Sequence, residues 1–453
     1  MRKRLFEIIF CFGITIIVLL IVGGGTEVFF EAGYWYDASD YWGRGALLWK
    51  DGEFDLLNLG TAFRGYIFPL YLGFCSFIGG ENGSLIYILI NSLLLSLLFV
   101  LVIPKLHEVN GEENKYSPIH LFIFLLMFYG LVRYALSDLF AIALCMLAIM
   151  LEKTVMDCNS KIKSIIICFL LGVVLYWMYN TRTIYLFPAV YIFLVFLYHL
   201  SKLEGWKSKI SNAATCLLGV GIAGLPQLYV NYVVNGVKSI AVLTNSLMLK
   251  QLYWGMYCQR FEGYIGEGRD VIGGPIWFID DVGAHLLALE GIQTFGTWKE
   301  YIKFVILHFF DVVGIYVRHF VNILFPCWPN TYIEDIDNNK IFMLILSYVC
   351  IFLFCYSVFN KCIKSYRVFL NYIPLIIPMV LMIPSAVEVR FFAALYVLGI
   401  GVLCYNVNWI KMYECLKKSY IRTCIVFILG GGILVSQWSY MLISYPTHRI
   451  TMY

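Results

Sequence analysis

The sequence predicts an all-α polytopic membrane protein, with about eleven transmembrane helices, in the cell membrane. Of its 453 residues, 61% are hydrophobic and only 14% are charged, and the mean hydropathy is +0.78. Apolar stretches close to the length that crosses a bilayer as a helix recur along the chain. Basic residues gather in alternate loops, as cytoplasmic loops do. A soluble globular protein is excluded, because the polar residues are too few to cover its surface.

The first apolar stretch, 5–22, follows three basic residues and resembles a signal sequence. Its apolar core is longer than the ~7–15 residues of such signals, and no small-residue cleavage site follows, so we expect an uncleaved span. The other predicted spans are 85–103, 119–135, 139–151, 165–178, 184–200, 213–230, 341–359, 369–383, 391–407 and 421–443. Two of these, 139–151 and 165–178, are short, and we expect flanking residues to extend them or the bilayer to thin around them.

Clusters of Lys and Arg predict which side of the membrane each loop occupies. If the spans alternate, all of these clusters lie on one side, which places the N terminus in the cytoplasm: 2–4, 153–163, 202–209, 361–367 and 411–422. The opposite side receives two large segments, and we expect both to carry short amphipathic helices. The predicted organisation is an N-terminal transmembrane module 1–230 with a first extracytoplasmic loop 23–84, a second extracytoplasmic loop 231–340, and C-terminal helices 341–453.

The stretch 301–324 is apolar enough to be a further span, but counting it would move the basic cluster at 361–367 to the outer side. Its polar residues recur near helical spacing: His308, Asp311, Arg318, His319 and Asn322. We therefore predict an amphipathic helix that lies along the outer membrane surface. A true span with a functional polar face is the alternative.

Charged residues also remain at the predicted outer ends of the spans, where the positive-inside rule predicts few. Arg133 and Asp138 flank one turn, Arg182 lies in a second, and Glu388 and Arg390 lie in a third. Each is close to an apolar stretch, so we expect all of them near the outer headgroup layer, where Arg meets lipid phosphates. The alternative is that each Arg binds ordinary phospholipid and each acid caps a helix.

The first outer segment holds the densest polar pattern. Asp37 and Asp40 are three residues apart, which places both carboxylates on one helical face among Tyr and Trp residues, and Arg44 and Arg64 follow them. A carboxylate so placed can take a proton from a hydroxyl group. The alternative is a surface helix whose acids cap its start and whose aromatic residues form an interfacial belt.

Taken in order, these short motifs resemble the GT-C superfamily of lipid-phosphosugar-dependent glycosyltransferases. The resemblance is to the bacterial branch that is similar to protein O-mannosyltransferases and the lipid A aminoarabinose transferase, and it covers residues 1–410. The matching positions are Asp37, Tyr41, Gly45 and Ala46; Arg64, Gly65, Tyr66, Pro69, Leu70 and Tyr71; Ser137, Asp138, Leu139 and Phe140; Thr181, Arg182 and Thr183; Pro226, Asn231 and Gly236; and Glu388, Arg390 and Phe391.

The sequence departs from this family at three points. Ala38 follows Asp37 where many members have Asp-Glu, so the second acid is displaced to Asp40 and either Asp can be the base. Asp138 stands where the family has Glu. The arginine turns also lack their prolines.

The resemblance implies an integral-membrane glycosyltransferase that moves a sugar from a polyprenyl-phosphate donor to an acceptor hydroxyl at the extracytoplasmic face. The implied reaction is a single displacement that inverts the anomeric carbon, with an Asp as general base and arginines that hold the leaving phosphate. The implied residues are the catalytic Asp37 and Asp40; the donor-phosphate ligands Arg182, Arg390, Arg64 and Arg133; and the supporting Tyr41, Asp138, which binds sugar or acceptor, and Glu388, which orients Arg390.

The expected partners are the polyprenyl-phosphate-linked sugar, a glycan, lipid or protein acceptor, and the lipid bilayer. Nucleic acid is not expected, because the net charge is only +4. No Asp-x-Asp pair or histidine cluster argues for a metal, so we expect no cofactor, with a divalent cation as the open alternative.

Two other functions stay open beside this enzyme, whose product would be a cell-surface polysaccharide or another surface glycoconjugate. A transporter or flippase of a lipid-linked saccharide would show inverted repeats and ionisable residues at mid-bilayer. A polysaccharide polymerase or ligase would place its Arg and His residues in one late outer loop.

A Gly-x-Gly-x-x-Gly string at Gly219, Gly221 and Gly224 does not indicate nucleotide binding, because it lies inside an apolar run with no strand before it. We predict close helix packing at these small residues instead.

Overall fold

The computed structural model describes residues 2–22, 25, 34–60, 63–107, 118–158, 160–202, 205–263, 276–323, 332, 345, 348–349, 352, 355, 366–401, 404 and 409–444. The predicted span 341–359 therefore lies for most of its length outside the described residues, as does much of the first outer segment before residue 34.

The described chain is almost entirely helical. Its helices are α1 (Arg2–Val22), α2 (Tyr36–Leu48), α3 (Ile67–Gly79), α4 (Gly83–Leu97), α5 (Pro118–Arg133), α6 (Ser137–Met156), α7 (Lys161–Thr181), α8 (Leu186–Lys202), α9 (Trp206–Asn235), α10 (Asn245–Tyr257), α11 (Asp281–Leu289), α12 (Trp298–Leu307), α13 (Phe309–Ile323), α14 (Tyr366–Met382), α15 (Ala393–Gly401), α16 (Trp409–Lys418) and α17 (Tyr420–Ser444). A π-helical turn, Leu98–Val102, and a short helix, Ile103–Leu106, continue α4.

The chain forms two compact units. The first unit consists of residues 1–114, 131–244 and 367–378, and the second consists of 115–130, 245–366 and 379–453. The first unit contains α1 to α4 and α6 to α9, and the second contains α10 to α13 and α15 to α17. Helices α5 and α14 each contribute residues to both units.

Six helical segments in the described residues are long and apolar enough to cross a membrane. They are Arg2–Val22, Ile67–Leu106, Ser137–Met156, Lys161–Thr181, Thr183–Lys202 and Trp206–Asn235. A bent pair of helices, Trp298–Leu307 and Phe309–Ile323, makes a seventh if it is one span. The protein is thus an all-α membrane protein, while the number of eleven spans stays a prediction.

The two spans that look short in the sequence are full-length helices. Helix α6 has 20 residues and α7 has 21, because each continues through polar residues at its ends. Lys153 lies in the last turn of α6, and Lys161 begins α7, so basic residues flank the turn that joins them. This arrangement lets the charged ends reach the interface while the apolar middle stays in lipid.

A helical hairpin was missing from the sequence prediction. The apolar run Ile67–Leu106 folds back on itself, since Tyr71 Oη donates to Asn91 Oδ1 at 2.9 Å although the two residues are 20 apart. The turn is at Gly80, whose φ of +53° favours glycine. Helix α3 is a short apolar helix of 13 residues, and it packs against α4.

The backbones of α7 and α9 touch at glycines. A Cβ atom added at Gly172 would lie 1.9 Å from the carbonyl oxygen of Cys216, and one added at Gly219 would lie 2.2 Å from that of Phe169. Small residues are what allow membrane helices to approach so closely. The packing predicted for Gly219 is therefore present, whereas a Cβ at Gly221 would meet no atom within 4 Å.

The second unit holds a short antiparallel hairpin of strands β1 (Cys258–Glu262) and β2 (Ile276–Ile279). The single helix expected over 301–324 is instead the two helices α12 and α13, which meet at His308 at an angle of 100°. His308 leaves the helical region at φ −113° and ψ 34°, and its ring contacts Glu290 Oε1 at 3.1 Å. The bend lets Phe304 and Ile315 enter the same apolar core.

Replacing Gly219 by Ala is expected to destabilise the first unit by about 1–3 kcal/mol, because α7 and α9 must move apart to accept the methyl group. Gly221→Ala on the same helix is the matched control and should leave stability unchanged or raise it by up to about 1 kcal/mol, since Ala favours helix. Thermal unfolding of the purified protein in detergent measures both effects. Equal stability of the two variants would contradict the close packing.

Candidate functional site

Helix α2 carries the two acids predicted as catalytic, and one arginine binds both of them. Arg64 donates from Nη2 to Asp37 Oδ1 at 2.7 Å and from Nε to Asp40 Oδ2 at 3.3 Å. Its Nη1 donates to the Tyr41 hydroxyl at 3.0 Å, and its guanidinium carbon lies 4.6 Å from the centre of the Tyr41 ring. Four residues of the predicted site are therefore in direct contact.

The two carboxylates differ in how they are held. Asp40 accepts from Arg44 Nε on Oδ1 at 2.9 Å and from Arg64 Nε on Oδ2, so an arginine binds each of its oxygens. Arg44 is itself fixed by the carbonyl oxygen of Leu59 at 2.8 Å. The Asp37 side chain is 37% exposed and Asp40 33%, so both reach solvent.

The charge of Arg64 is stabilised by these neighbours. Burial alone would lower the pKa of its guanidinium. The adjacent Tyr41 hydroxyl and the carboxylates of α2 outweigh burial and raise this pKa above its ordinary value. Arg64 is therefore a permanent cation between the two acids.

One face of α2 is buried, and the two acids lie beside it. Its buried residues are Ala38, Tyr41, Gly45 and Leu48, which follow helical spacing. A Cβ at Gly45 would lie 2.8 Å from the backbone nitrogen of Gly73, so the backbones of α2 and α3 touch. Asp37, Asp40 and Arg44 lie along the edge of this buried face, where each is partly exposed.

Backbone strain marks the start of α2. Tyr36 has φ +47°, which costs a residue with a side chain about 1–2 kcal/mol. Such strain persists only where surrounding contacts impose it, and it is common at functional sites. Asp37 follows directly, in the first turn, where the helix dipole favours a negative charge.

The loop that carries Arg64 is fixed by Asn180 at the end of α7. The backbone nitrogen of Ile67 donates to Asn180 Oδ1 at 3.0 Å. A Cβ atom at Gly65 would lie 1.8 Å from the carbonyl oxygen of Asn180, so only glycine fits between Arg64 and α3. This contact places the Arg64 loop against the turn that contains Arg182.

A chain of buried amides continues from Asn180. Its Nδ2 donates to Gln227 Oε1 at 3.0 Å, and Gln227 Nε2 donates to Asn231 Oδ1 at 3.1 Å. Asn231 Nδ2 then donates to the carbonyl oxygens of Ser239 and Ala241, each at 2.7 Å. The three amide side chains are at most 1% exposed, so the bonds lie inside the first unit.

The second acid–arginine pair lies at the turn after α7. Arg182 Nη1 donates to Asp138 Oδ1, and Asp138 is in the first turn of α6. Both side chains are largely buried. Because Asn180 is two residues before Arg182, the same helix end positions this pair and the Arg64 loop.

Arg133 differs from the other predicted arginines of the first unit. It is 7% exposed, and its Nε atom is buried without a hydrogen-bond partner in the described structure. Its guanidinium carbon lies 5.1 Å from the centre of the Tyr134 ring. Tyr134 is held in turn, since its carbonyl oxygen accepts from Tyr87 Oη at 2.7 Å.

The predicted pair Glu388 and Arg390 belongs to the second unit. Arg390 Nη2 donates to Glu388 Oε1 at 2.9 Å, and its Nε lies 2.6 Å from Oε2. Both side chains are mostly buried. They form one ion pair around the 3₁₀ turn Val389–Phe392.

Sequence reasoning missed a polar cluster in the second unit. Arg318 binds Asp280 with two hydrogen bonds, of 2.5 and 2.8 Å, and Asp280 also accepts from the backbone nitrogen of Gly283 to cap α11. On the next position of α13, both ring nitrogens of His319 contact carbonyl oxygens, those of Ile383 and Cys258. Asp280 is a residue type that often caps a helix start, but the sequence analysis predicted no helix after it.

Within the described residues, no group of three or more His, Cys, Asp or Glu side chains could hold a metal ion. No protein-family model, curated protein or solved structure matches the chain at a significant level. The structure therefore defines the class, an all-α membrane protein, and function must be argued from the site itself.

Replacing Asn180 by Ala is expected to loosen the Arg64 loop, because the Ile67 N–H and the Gln227 Oε1 lose their partner. Each buried group left unpaired costs about 1–3 kcal/mol. Hydrogen exchange of residues 64–67 should become faster, and the unfolding temperature should fall. Asn212→Ala removes another buried amide between α7 and α9, bonded to Ser164 Oγ at 3.2 Å, and should leave exchange at 64–67 unchanged. If hydrogen exchange at residues 64–67 is the same in both variants, Asn180 does not fix the Arg64 loop.

Proposed function

We propose that this protein is a GT-C-type membrane glycosyltransferase that moves a sugar from a polyprenyl-phosphate donor to an acceptor hydroxyl at the extracytoplasmic face. The observation that carries the proposal is that Asn180 links two groups of charged residues. Arg64 binds Asp37 and Asp40, and Asn180 fixes the loop that carries Arg64. Two residues after Asn180, Arg182 binds Asp138. An acid and several cations at one end of a helix bundle suit a donor whose sugar phosphate lies at the membrane surface and whose tail lies in lipid.

Asp37 is the better of the two candidates for the base. Asp40 has an arginine on each oxygen, so these hydrogen bonds fix the position of its carboxylate. Asp37 lies at the more exposed start of the helix, beside the strained Tyr36. Asp40 then serves to hold Arg64 and Arg44 in place.

The proposed reaction is a single displacement. The acceptor hydroxyl oxygen forms a bond to the anomeric carbon while Asp37 takes the hydroxyl proton. The bond between that carbon and the phosphate oxygen breaks, and its electron pair leaves with polyprenyl phosphate. Guanidinium groups stabilise the negative charge that develops on the leaving phosphate.

Arg133 is the strongest candidate for the donor phosphate in the first unit. Arg64 and Arg182 already bind carboxylates, whereas Arg133 forms no ion pair within the described part of the chain. A guanidinium that is 7% exposed is costly without an anion, and a phosphate ester would offset that cost.

Substitution of Asp37 by Asn is expected to reduce transfer by about 10²–10⁴-fold, the range of a lost general base. Asp40→Asn should reduce it less, because it alters the position of Arg64 and leaves the base intact. The measurement is the release of polyprenyl phosphate, a product common to all acceptors, in vesicles that contain a panel of polyprenyl-phosphate sugars. Membrane extract supplies the acceptor.

Asp311→Asn is the matched control, because Asp311 is an exposed acid in the first turn of α13. This variant should transfer sugar as the wild-type protein does. Normal transfer by both α2 variants at matched protein level would refute the catalytic role of this helix. Flipping of a labelled lipid-linked sugar by the same vesicles, without release of polyprenyl phosphate, would favour the transporter.

Substitution of Arg133 by Gln is expected to weaken donor binding about tenfold or more, as loss of a charged hydrogen bond does. Without donor, the variant should unfold at the same or a higher temperature, because a buried unpaired charge is removed. Arg133→Lys should restore part of the affinity. A stability loss with unchanged donor affinity would assign Arg133 to packing against Tyr134 instead.

A further inference from the structure

The junction of α16 and α17 in the second unit forms a cavity of about 700 Å³ that is wide open at the surface, and its basic side chains are exposed. Lys417 and Lys418 end α16, and Arg422 lies in the first turn of α17, so three basic side chains line it. Ile425 and Val426, one turn further along α17, form an apolar wall. The cavity therefore has a cationic end and an apolar end about one helical turn apart, or roughly 5 Å.

The charged side chains that line this cavity are all positive. Among the described residues, none of its three basic side chains forms an ion pair with an acid. Glu414 is one turn before Lys418, yet the two are not paired in the described structure. Lysines at a helix end are favoured by the dipole, but Arg422 lies at the start of a helix, where the dipole opposes a cation.

We propose that this cavity binds a phospholipid with an anionic headgroup. The phosphate of the headgroup contacts Lys417, Lys418 and Arg422, and an acyl chain lies along the apolar wall of α17. A soluble anion would leave that wall uncovered, whereas a lipid satisfies both ends. Ile421, which also lines the cavity, and Ile410 near the start of α16 are 72% and 75% exposed, and such apolar residues suit a helix placed at the membrane surface. This site is independent of the proposed glycosyl transfer.

Titration of the full-length protein in detergent with fluorescent phosphatidylglycerol tests the proposal, with phosphatidylcholine as the neutral lipid. The triple variant Lys417→Gln, Lys418→Gln, Arg422→Gln should lose phosphatidylglycerol affinity by about tenfold or more, since each surface cation contributes roughly a fivefold factor. Its binding of phosphatidylcholine should not change. The charge-conserving variant Lys417→Arg, Lys418→Arg, Arg422→Lys should bind as wild type does and shows whether the site still folds.

The matched control removes the same charge elsewhere: Lys161→Gln, Lys163→Gln, Lys207→Gln, all exposed near the starts of α7 and α9. We expect its phosphatidylglycerol affinity to fall less than twofold. An equal loss in both triple variants would overturn the proposal, because net charge alone would then explain binding. Competition by glycerol phosphate as strong as that by the lipid would also overturn it in favour of a soluble anion.

Discussion

The chain of buried amides that begins at Asn180 is the interaction on which one end of the first unit depends. Inside an apolar bundle there is no water to satisfy a polar group, so each such group must find a partner in the protein. Asn180 binds the start of α3 and Gln227 at once, and Asn231 binds the segment after α9. The bonds therefore set where the Arg64 loop and the Arg182 turn lie, before any charge is considered.

Much of this arrangement follows from sequence patterns, and some of it does not. At 137–138 and 180–182 the apolar runs stop at polar residues, and the structure has helix ends there. Helix α3 was missed because a 13-residue apolar segment is too short for a span. The bend at His308 was missed because neither Gly nor Pro interrupts the helical spacing around it.

The sequence pattern also does not predict which residues the charged side chains bind. Spacing predicted that Asp37 and Asp40 share a helix face, and in α2 both carboxylates reach the same guanidinium group. It could not predict that Arg64, 24 residues after Asp40, would bind both acids. That contact depends on the hairpin of α3 and α4 and on Gly65, where a side chain would collide with Asn180.

The arginines of the first unit differ in whether an acid balances their charge. Arg64 and Arg182 are each bound by carboxylates, which lowers the cost of holding a cation near lipid and fixes its direction. Such arginines can add hydrogen bonds to a phosphate with their remaining N–H groups, but their charge is already balanced. Arg133 is the one of the three whose charge has no balancing acid within the described residues. An anionic ligand therefore gains most by approaching Arg133, and the paired arginines then decide its orientation.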